Sequence, residues 1–518
     1  MQFVSFRFLL FMAVTLALYY LTPRTRRWWI LLAASVGFYC LAGLSFVPFL
    51  LWTTAVTYVT AVLMQRVTDR ETAYLAGEGA ALPKPERKAF RAKAKKRRRG
   101  ILTGGLILGF GTLAVLKYTG FVLSGFQGVK VPDLILPLGI SFYTFQSMGY
   151  LIDVYRGKAT AERNFAKTAL FVSFFPQLIQ GPISRFADLE AQLVTGHDFD
   201  RDKLLRGLTR VVWGYFKKVV VADTALIAVR TLTGEGYTGA YAVLLILLYS
   251  AEIYGDFTGG IDITIGFSEM LGIRLHENFD RPFSSRSVKE YWRRWHITMG
   301  TWFTDYIFYP LSVSGPMQKL SKWSRAHLGT ALGKRLPVYL ATVVTWFLTG
   351  LWHGAGWNFI VWGLLNCAAI LISQELQPLW DRFHRAAPGL SASRGWACVQ
   401  AIRTFLLMGL FRSLDVYRNV PRTFRLWGSI LTGGRWGELF GGGLLELGLD
   451  IRQWCVLLCG ILVLFTVSQV TKRVDLRGEL SRRPVLLSLV LTVAVCVILI
   501  FGSYGIGYNA GDFIYGQF

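Results

Sequence analysis

The 518-residue chain carries 53% hydrophobic and 15% aromatic residues against 17% charged ones, with a mean hydropathy of +0.41. That composition excludes a string of soluble domains and describes a polytopic membrane protein, whose apolar surface faces lipid. The formal charge of +25 would suit a nucleic-acid binder, but the basic residues fall in loops between apolar segments, the pattern of a positive-inside topology with anionic-lipid contact, a specific polyanion site being the alternative.

The first apolar stretch, near 3–21, lacks a basic leading region and a small-residue cleavage site, and PRTRRWW (23–29) follows it. It therefore reads as a retained span, not a signal peptide. Segments near 28–45 and 46–64 form a hairpin ahead of a basic loop over 65–100 that contains KPERKAFRAKAKKRRR (84–99). With both basic runs in the cytoplasm, the N-terminus lies outside. Further candidate spans lie near 101–124, 132–152, 166–182, 206–230, 239–272, 336–351, 356–374, 397–411, 452–470 and 485–503. Together they predict roughly eleven to thirteen transmembrane or re-entrant passages in an all-α chain. Pro132, Pro137, Pro176 and Pro182 interrupt two of these regions, and irregular backbone at membrane depth survives only when buried in protein or lining a wet cavity. Asp153 stands three residues before Arg156, Glu252 and Asp256 are four apart, and Asp262 follows in the same apolar stretch. Structural ion pairs or backbone contacts account for such groups, a cavity-lining role for Asp256 being the alternative.

Two histidines then stand out. In NFDRPFSSRSVKEYWRRWHITMGTWFTDYIFYPL (278–311), His296 follows a basic, aromatic run that reads as one helix at the cytoplasmic interface. Trp292, His296 and Met299 share a face there, and Arg293 and Arg294 turn toward headgroups. An amphipathic interfacial helix with no chemistry explains this segment equally. In TWFLTGLWHGAGWNFIVWG (345–363), His353 sits in an apolar stretch with no Asp, Glu, Lys or Arg. If the helix runs through it, Trp346, Thr349, Gly350, Gly356 and Trp357 line its face at offsets of three, four and seven. Glycines there allow a helix or ligand to approach closely. A buried imidazole stays neutral and can accept a proton, whereas a structural histidine bridging two helices is the bland reading.

Beyond these, TGGRWGELFGGG (432–443) is a loop with no phosphate-binding pattern, and Cys455 and Cys459, one helical turn apart, suit packing. The six cysteines imply no disulfide framework, and no metal site, Walker A, HExxH or GxSxG pattern occurs.

WRRWH (292–296) with DYIFYPL (305–311), and GLWHGAGWNFIVWG (350–363), resemble the paired signatures of membrane-bound O-acyltransferases. LPLGISFYTFQSMGYLIDVYRG (136–157), FVSFFPQLIQGPISRF (171–186), DFTGGIDITIGFSEMLGI (256–273), LFRSLDV (410–416) and the terminal FIYGQF (513–518) are similar to the bacterial branch containing alginate O-acetyltransferases, whose cousins D-alanylate teichoic acid. The resemblance implies a single membrane-embedded domain over 1–518, a ring of tilted helices around a central tunnel, with a catalytic core at 278–375. It matches His353 to the family's catalytic histidine and His296 to the second, cytoplasmic-side one. Tunnel-lining candidates are Trp346, Trp352, Trp357, Asn358, Asp256 and Asp305. No cofactor is bound; an acyl thioester such as acetyl-CoA serves as donor substrate, its phosphates meeting Arg281, Arg286, Arg293 and Arg294 at the cytosolic face. His353 takes the proton of the attacking hydroxyl. In the extracytoplasmic tail, 504–518, Tyr515 is a candidate transient acyl acceptor, with interfacial anchoring as the alternative. An extracytoplasmic transferase of the SGNH type, a polysaccharide acceptor and the bilayer of a bacterial plasma membrane are the expected partners. Different classes of function, a polysaccharide exporter or a scaffold recruiting the true transferase, also fit many spans with buried ionisable groups.

Overall fold

The computed structural model describes residues 4–126, 129, 132, 134–178 and 180–504; their regular secondary structure is helical, with one isolated β-bridge, between Phe279 and Trp295. The chain divides into two compact units, Met1–Leu208 with Thr264–His276, and Thr209–Ile263 with Glu277–Phe518.

The first unit holds α1 (Phe6–Leu21), α2 (Arg27–Ala42), α3 (Val47–Ala76), α4 (Lys84–Leu123) and α5 (Ile140–Arg156). α3 and α4 pack at a small-residue contact, since a Cβ on Gly105 would lie 2.6 Å from the Thr60 side chain. Both helices run well past their apolar windows, so most of the segment read as a basic loop over 65–100 is helix, turning only between Gly77 and Pro83.

The second unit contains the C-terminal part of α6 (Arg201–Tyr215), a π-helical turn Phe216–Ala222, α7 (Asp223–Leu232), the greater part of α8 (Ala240–Met270), α9 (Val288–Arg294), α10 (Ile297–Phe303), α11 (Gly315–His353), α12 (Trp357–Glu375), α13 (Arg394–Tyr417), α14 (Ile451–Val470) and α15 (Pro484–Phe501). α8 packs against the end of α6 and the π-turn almost backbone to backbone. A Cβ on Gly259 would lie 2.8 Å from the Gly214 carbonyl oxygen, and one on Gly255 2.7 Å from that of Lys217. Glycine is what permits this approach. The close contact also brings buried charges together: Lys218 Nζ lies 2.6 Å from Asp256 and 2.9 Å from Asp223, while Lys217 pairs with Asp262 at 2.5 Å.

Among the described residues eight helices are long and apolar enough to cross a membrane, α3 (with the short turn that precedes it), α4, α8 and α11 to α15. That is fewer than the expected passages, because α1, α2 and α5 have only 16, 16 and 17 residues and the region near 166–182 is broken at Phe174 into helices of nine and four residues. The chain is an all-α, multi-pass membrane protein.

Candidate functional site

The helix expected to run through His296 is broken at that residue. α9 starts on Ser287, whose side chain accepts a hydrogen bond from the Glu290 amide at 3.1 Å, and it carries an Arg294–Glu290 ion pair at 2.7 Å. It then stops, because His296 takes a left-handed conformation (φ +49°) that a non-glycine residue adopts only when its surroundings impose it. Those surroundings are residues 278–280. Asp280 N–H donates to the Arg294 carbonyl at 2.9 Å and Ile297 N–H to the Asn278 carbonyl at 3.0 Å. The Asn278 side-chain oxygen accepts from Thr298 N–H at 3.0 Å and from its hydroxyl at 2.9 Å, and it lies 3.3 Å from His296 Nδ1. An oxygen already fixed as an acceptor requires the proton on Nδ1, which leaves the lone pair on Nε2. His296 is fully buried. Burial pulls its pKa down to about 3, so the ring is neutral at physiological pH.

His353 is the last residue of α11, and α12 begins at Trp357. The intervening Gly354–Gly356 turn cancels the helical offsets expected beyond His353, so Gly356 and Trp357 belong to the next helix. α11 and α12 cross at glycines. A Cβ on Gly363 would lie 2.5 Å from the Trp346 carbonyl oxygen and 3.2 Å from Gly350 Cα. This crossing sets Trp362 against His353, ring centroids 4.6 Å apart at 71°, and Trp352 stands 4.8 Å from the same imidazole. Trp352 also lies 5.8 Å from the His296 ring. One indole thus touches both histidines. The far side of the cluster is held by Trp292, 5.1 Å from Trp346 and 5.4 Å from Trp362, whose indole N–H donates to Asn366 at 3.0 Å. Phe411 and Leu414 of α13 complete the packing behind Trp362.

The other sequence candidates are distributed unevenly about this centre. Trp346 is half-buried, Asn358 is buried on the first turn of α12 with its amide nitrogen making no hydrogen bond, and Trp357 is 68% exposed. Asp305 is half-buried in a π-helical turn, Thr304–Phe308. Asp256 is fully buried in its ion pair with Lys218. Of the four arginines, Arg286 and Arg293 are exposed, Arg281 pairs with Asp280 at 2.7 Å and Arg294 with Glu290. Tyr515 and nearly all of the 504–518 tail lie outside the described residues. Sequence reasoning missed three residues. Asn278, the first letter of the NFDRPF segment, orients His296; Trp362 takes the place assigned to Trp357; and Arg412, buried on α13, stacks 3.7 Å from the Trp295 ring centroid. A lone asparagine eighteen residues from its histidine carries no local signal, whereas a charged residue inside the apolar FLLMGLFRSL stretch is a signal of the kind that marks a buried contact.

An imidazole packed between indoles, beside a second imidazole with a defined tautomer, is suited to removing a proton from a hydroxyl. Comparison with known proteins gives the family. Residues 161–410 match the MBOAT, membrane-bound O-acyltransferase family. The chain is 33% identical over 437 residues, 82% of its length, to the probable alginate O-acetylase AlgI of Azotobacter vinelandii, covering 77% of that protein. It is also 33% identical over the same share to the probable alginate O-acetylase AlgI of Pseudomonas aeruginosa, covering 74% of it. A peptidoglycan O-acetyltransferase of Helicobacter pylori is 31% identical over 56% of this chain and 58% of its own. Extended likeness across that much of both chains leaves one assignment, and the protein belongs to the membrane-bound O-acyltransferase family, as an alginate O-acetyltransferase-like O-acyltransferase.

Proposed function

We propose that this enzyme transfers an acetyl group from cytosolic acetyl-CoA, across the membrane, for O-acetylation of a secreted or cell-envelope polysaccharide. The relatives named for alginate and peptidoglycan O-acetylation support the acceptor class and the acetyl group. The observation that supports the chemistry is the shared indole: Trp352 lies 4.8 Å from the His353 ring and 5.8 Å from the His296 ring.

In the proposed reaction His353 accepts the proton of the attacking hydroxyl as its oxygen adds to the thioester carbonyl. The tetrahedral intermediate collapses by breaking the C–S bond, and the imidazolium returns the proton to the departing thiolate. His296, its Nε2 lone pair fixed by Asn278, holds the donor at the thioester end. Arg286 and Arg293, the two exposed arginines of the four, are the first candidates for the donor's phosphates at the cytosolic face. In this reading the protein lies in a bacterial plasma membrane with its N-terminus outside. Tyr515 receives the acetyl group transiently, and an extracytoplasmic SGNH-type transferase collects it.

The test is acetyl-CoA turnover by the purified protein. His353→Ala is expected to lower it by about 10²–10⁴-fold while the protein remains folded. Retained activity in that variant overturns the assignment; polymer transport unaffected by it indicates an exporter. Mass spectrometry of envelope glycans from cells with and without the gene identifies the group moved, and D-alanyl esters in place of acetyl would redirect the donor assignment.

A further inference from the structure

The second unit contains a cavity of about 1380 Å³ between α6, the π-turn and α8 on one side and α14 and α15 on the other. Neither His296 nor His353 lines it. Its volume exceeds the roughly 300–1,000 Å³ of a small-molecule pocket. Its walls are of two kinds. Along α14 and α15 they are aliphatic, with Val463, Leu464, Val490, Val493 and Val497 facing the space. At the end where both helices leave the apolar region, the wall is charged. Six cations line the cavity, Arg210, Lys217, Arg281, Lys472, Arg473 and Arg477, against four anions, Asp262, Glu277, Asp280 and Asp475. Three of those cations are already held by carboxylates: Arg210 by Asp262 and Glu277, Lys217 by Asp262, and Arg281 by Asp280. Lys472 and Arg473, just past the end of α14, are exposed, and Lys472 donates to the neutral Gln469.

Only 11% of the apolar window of α14 and 6% of that of α15 are covered by protein. Among the described residues the two helices therefore leave most of their apolar surface uncovered, and the gap between them and α8 offers apolar walls with a cationic end. We infer that this cavity is a binding site for one anionic glycerophospholipid, its acyl chains lying between the α14–α15 pair and α8 and its phosphate on Lys472 and Arg473. Charge decides the occupant. A zwitterionic lipid satisfies the apolar walls as well but gives the excess cations no net counter-charge, and a soluble phosphate leaves the walls bare. The site goes beyond acyl transfer and does not depend on it. A tightly held lipid would lock the C-terminal helix pair, otherwise scarcely covered by protein, onto α8 within the same unit.

The test uses the full-length protein in detergent, with native mass spectrometry to count retained lipids and thermal unfolding measured against added phosphatidylglycerol or phosphatidylcholine. The wild type is expected to retain phosphatidylglycerol preferentially and to gain thermal stability from it but not from phosphatidylcholine. The double variant Lys472→Glu/Arg473→Glu should bind phosphatidylglycerol more weakly by about tenfold or more, given about 1 kcal/mol per basic residue at an anionic lipid. Ala494→Trp, which places an indole in the cavity, should lose retained lipid of either kind. Three results would overturn the inference: equal retention of the two lipids by the wild type, phosphatidylglycerol binding unchanged in the charge-reversal variant, or stabilisation by inorganic phosphate matching that by the lipid. Acetyl-CoA turnover measured in parallel in lipid-free wild-type protein separates failure of this site from failure of the catalytic assignment.

Discussion

At the scale of single residues, the site rests on how His296 is held. Its left-handed backbone and its tautomer both depend on Asn278, which meets the ring at 3.3 Å while accepting twice from Thr298. If that contact positions a reacting group, Asn278→Ala should lower turnover of acetyl-CoA by about 10–100-fold, the range seen when a ligand-orienting partner is removed. Asn278→Asp separates positioning from mere packing. A carboxylate there keeps the acceptor for Thr298 but stabilises the imidazolium, so the acid limb of the pH–rate profile should move upward, which a purely structural asparagine would not cause. A related expectation concerns stability. The His296 pKa is depressed to about 3 by burial, below its unfolded value of 6.5. The unfolded chain therefore binds the extra proton first, and the stabilisation present above pH 6.5 is lost as pH falls toward 3. Unfolding temperatures measured from pH 7 to pH 4 should show a fall that His296→Gln reduces. The two histidines and most of the indoles were legible in the sequence because ionisable and amphipathic side chains stand out against apolar runs. Asn278 was not, because its role exists only once the chain has folded back across eighteen residues.

At the scale of helices, glycine positions explain what hydropathy alone misplaces. The candidate spans 336–351 and 356–374 leave a break beside His353, and the helical offsets drawn through it are conditional; α11 ends at His353, and the partner indole comes from Trp362 across the crossing, not from Trp357. The same logic governs the interfacial run: its 3.6-residue periodicity is real on either side of His296, yet hydrogen bonds to residues 278–280 outcompete helix continuation. Periodicity reports which residues share a face, not whether the backbone between them is intact. The crossing also gives a direct test. Adding a Cβ at Gly363 sets it 2.5 Å from a backbone oxygen, so the helices must separate. Gly363→Ala should destabilise by about 1–3 kcal/mol and lower activity together with the unfolding temperature, whereas Gly104→Ala, where a Cβ meets nothing within 4 Å, should leave both unchanged. The buried cation of the π-turn gives another. Lys218 is 1% exposed between Asp256 and Asp223, and Lys218→Met leaves buried carboxylates without their counter-ion, at a cost of about 3–5 kcal/mol. The measurement is thermal unfolding in detergent, where no change would mean that the pair is neutral in the folded protein.

At the scale of the whole molecule, the membrane class was legible because hydropathy reads length and apolarity directly, but the role of each span was not. Lipid and protein interior are equally apolar, so a helix wrapped by protein and one facing acyl chains give similar scores. In α8, 72% of the apolar window is covered by protein, against 6% in α15, and the distinguishing feature is polar: α8 carries Glu252, Asp256 and Asp262, whereas α15 has no charged residue. Interrupted apolar stretches such as 166–182 are long enough on paper for an unbroken span but fold into short pieces. The contrast predicts where a new charge can be tolerated. Val495 lies mid-helix in α15 and is 39% exposed, and Ile500 lies one residue from its end and is 71% exposed. A lysine at the centre of a lipid-facing span opposes insertion by about 2.5–3.5 kcal/mol, while one near the end can extend its amine to the headgroups. Val495→Lys should therefore sharply lower the yield of membrane-extracted, monodisperse protein, and Ile500→Lys, although placed at the more exposed position, should be recovered at close to wild-type levels. Equal recovery of the two variants would mean that α15 does not lie across the hydrocarbon core, because depth would then make no difference to the cost.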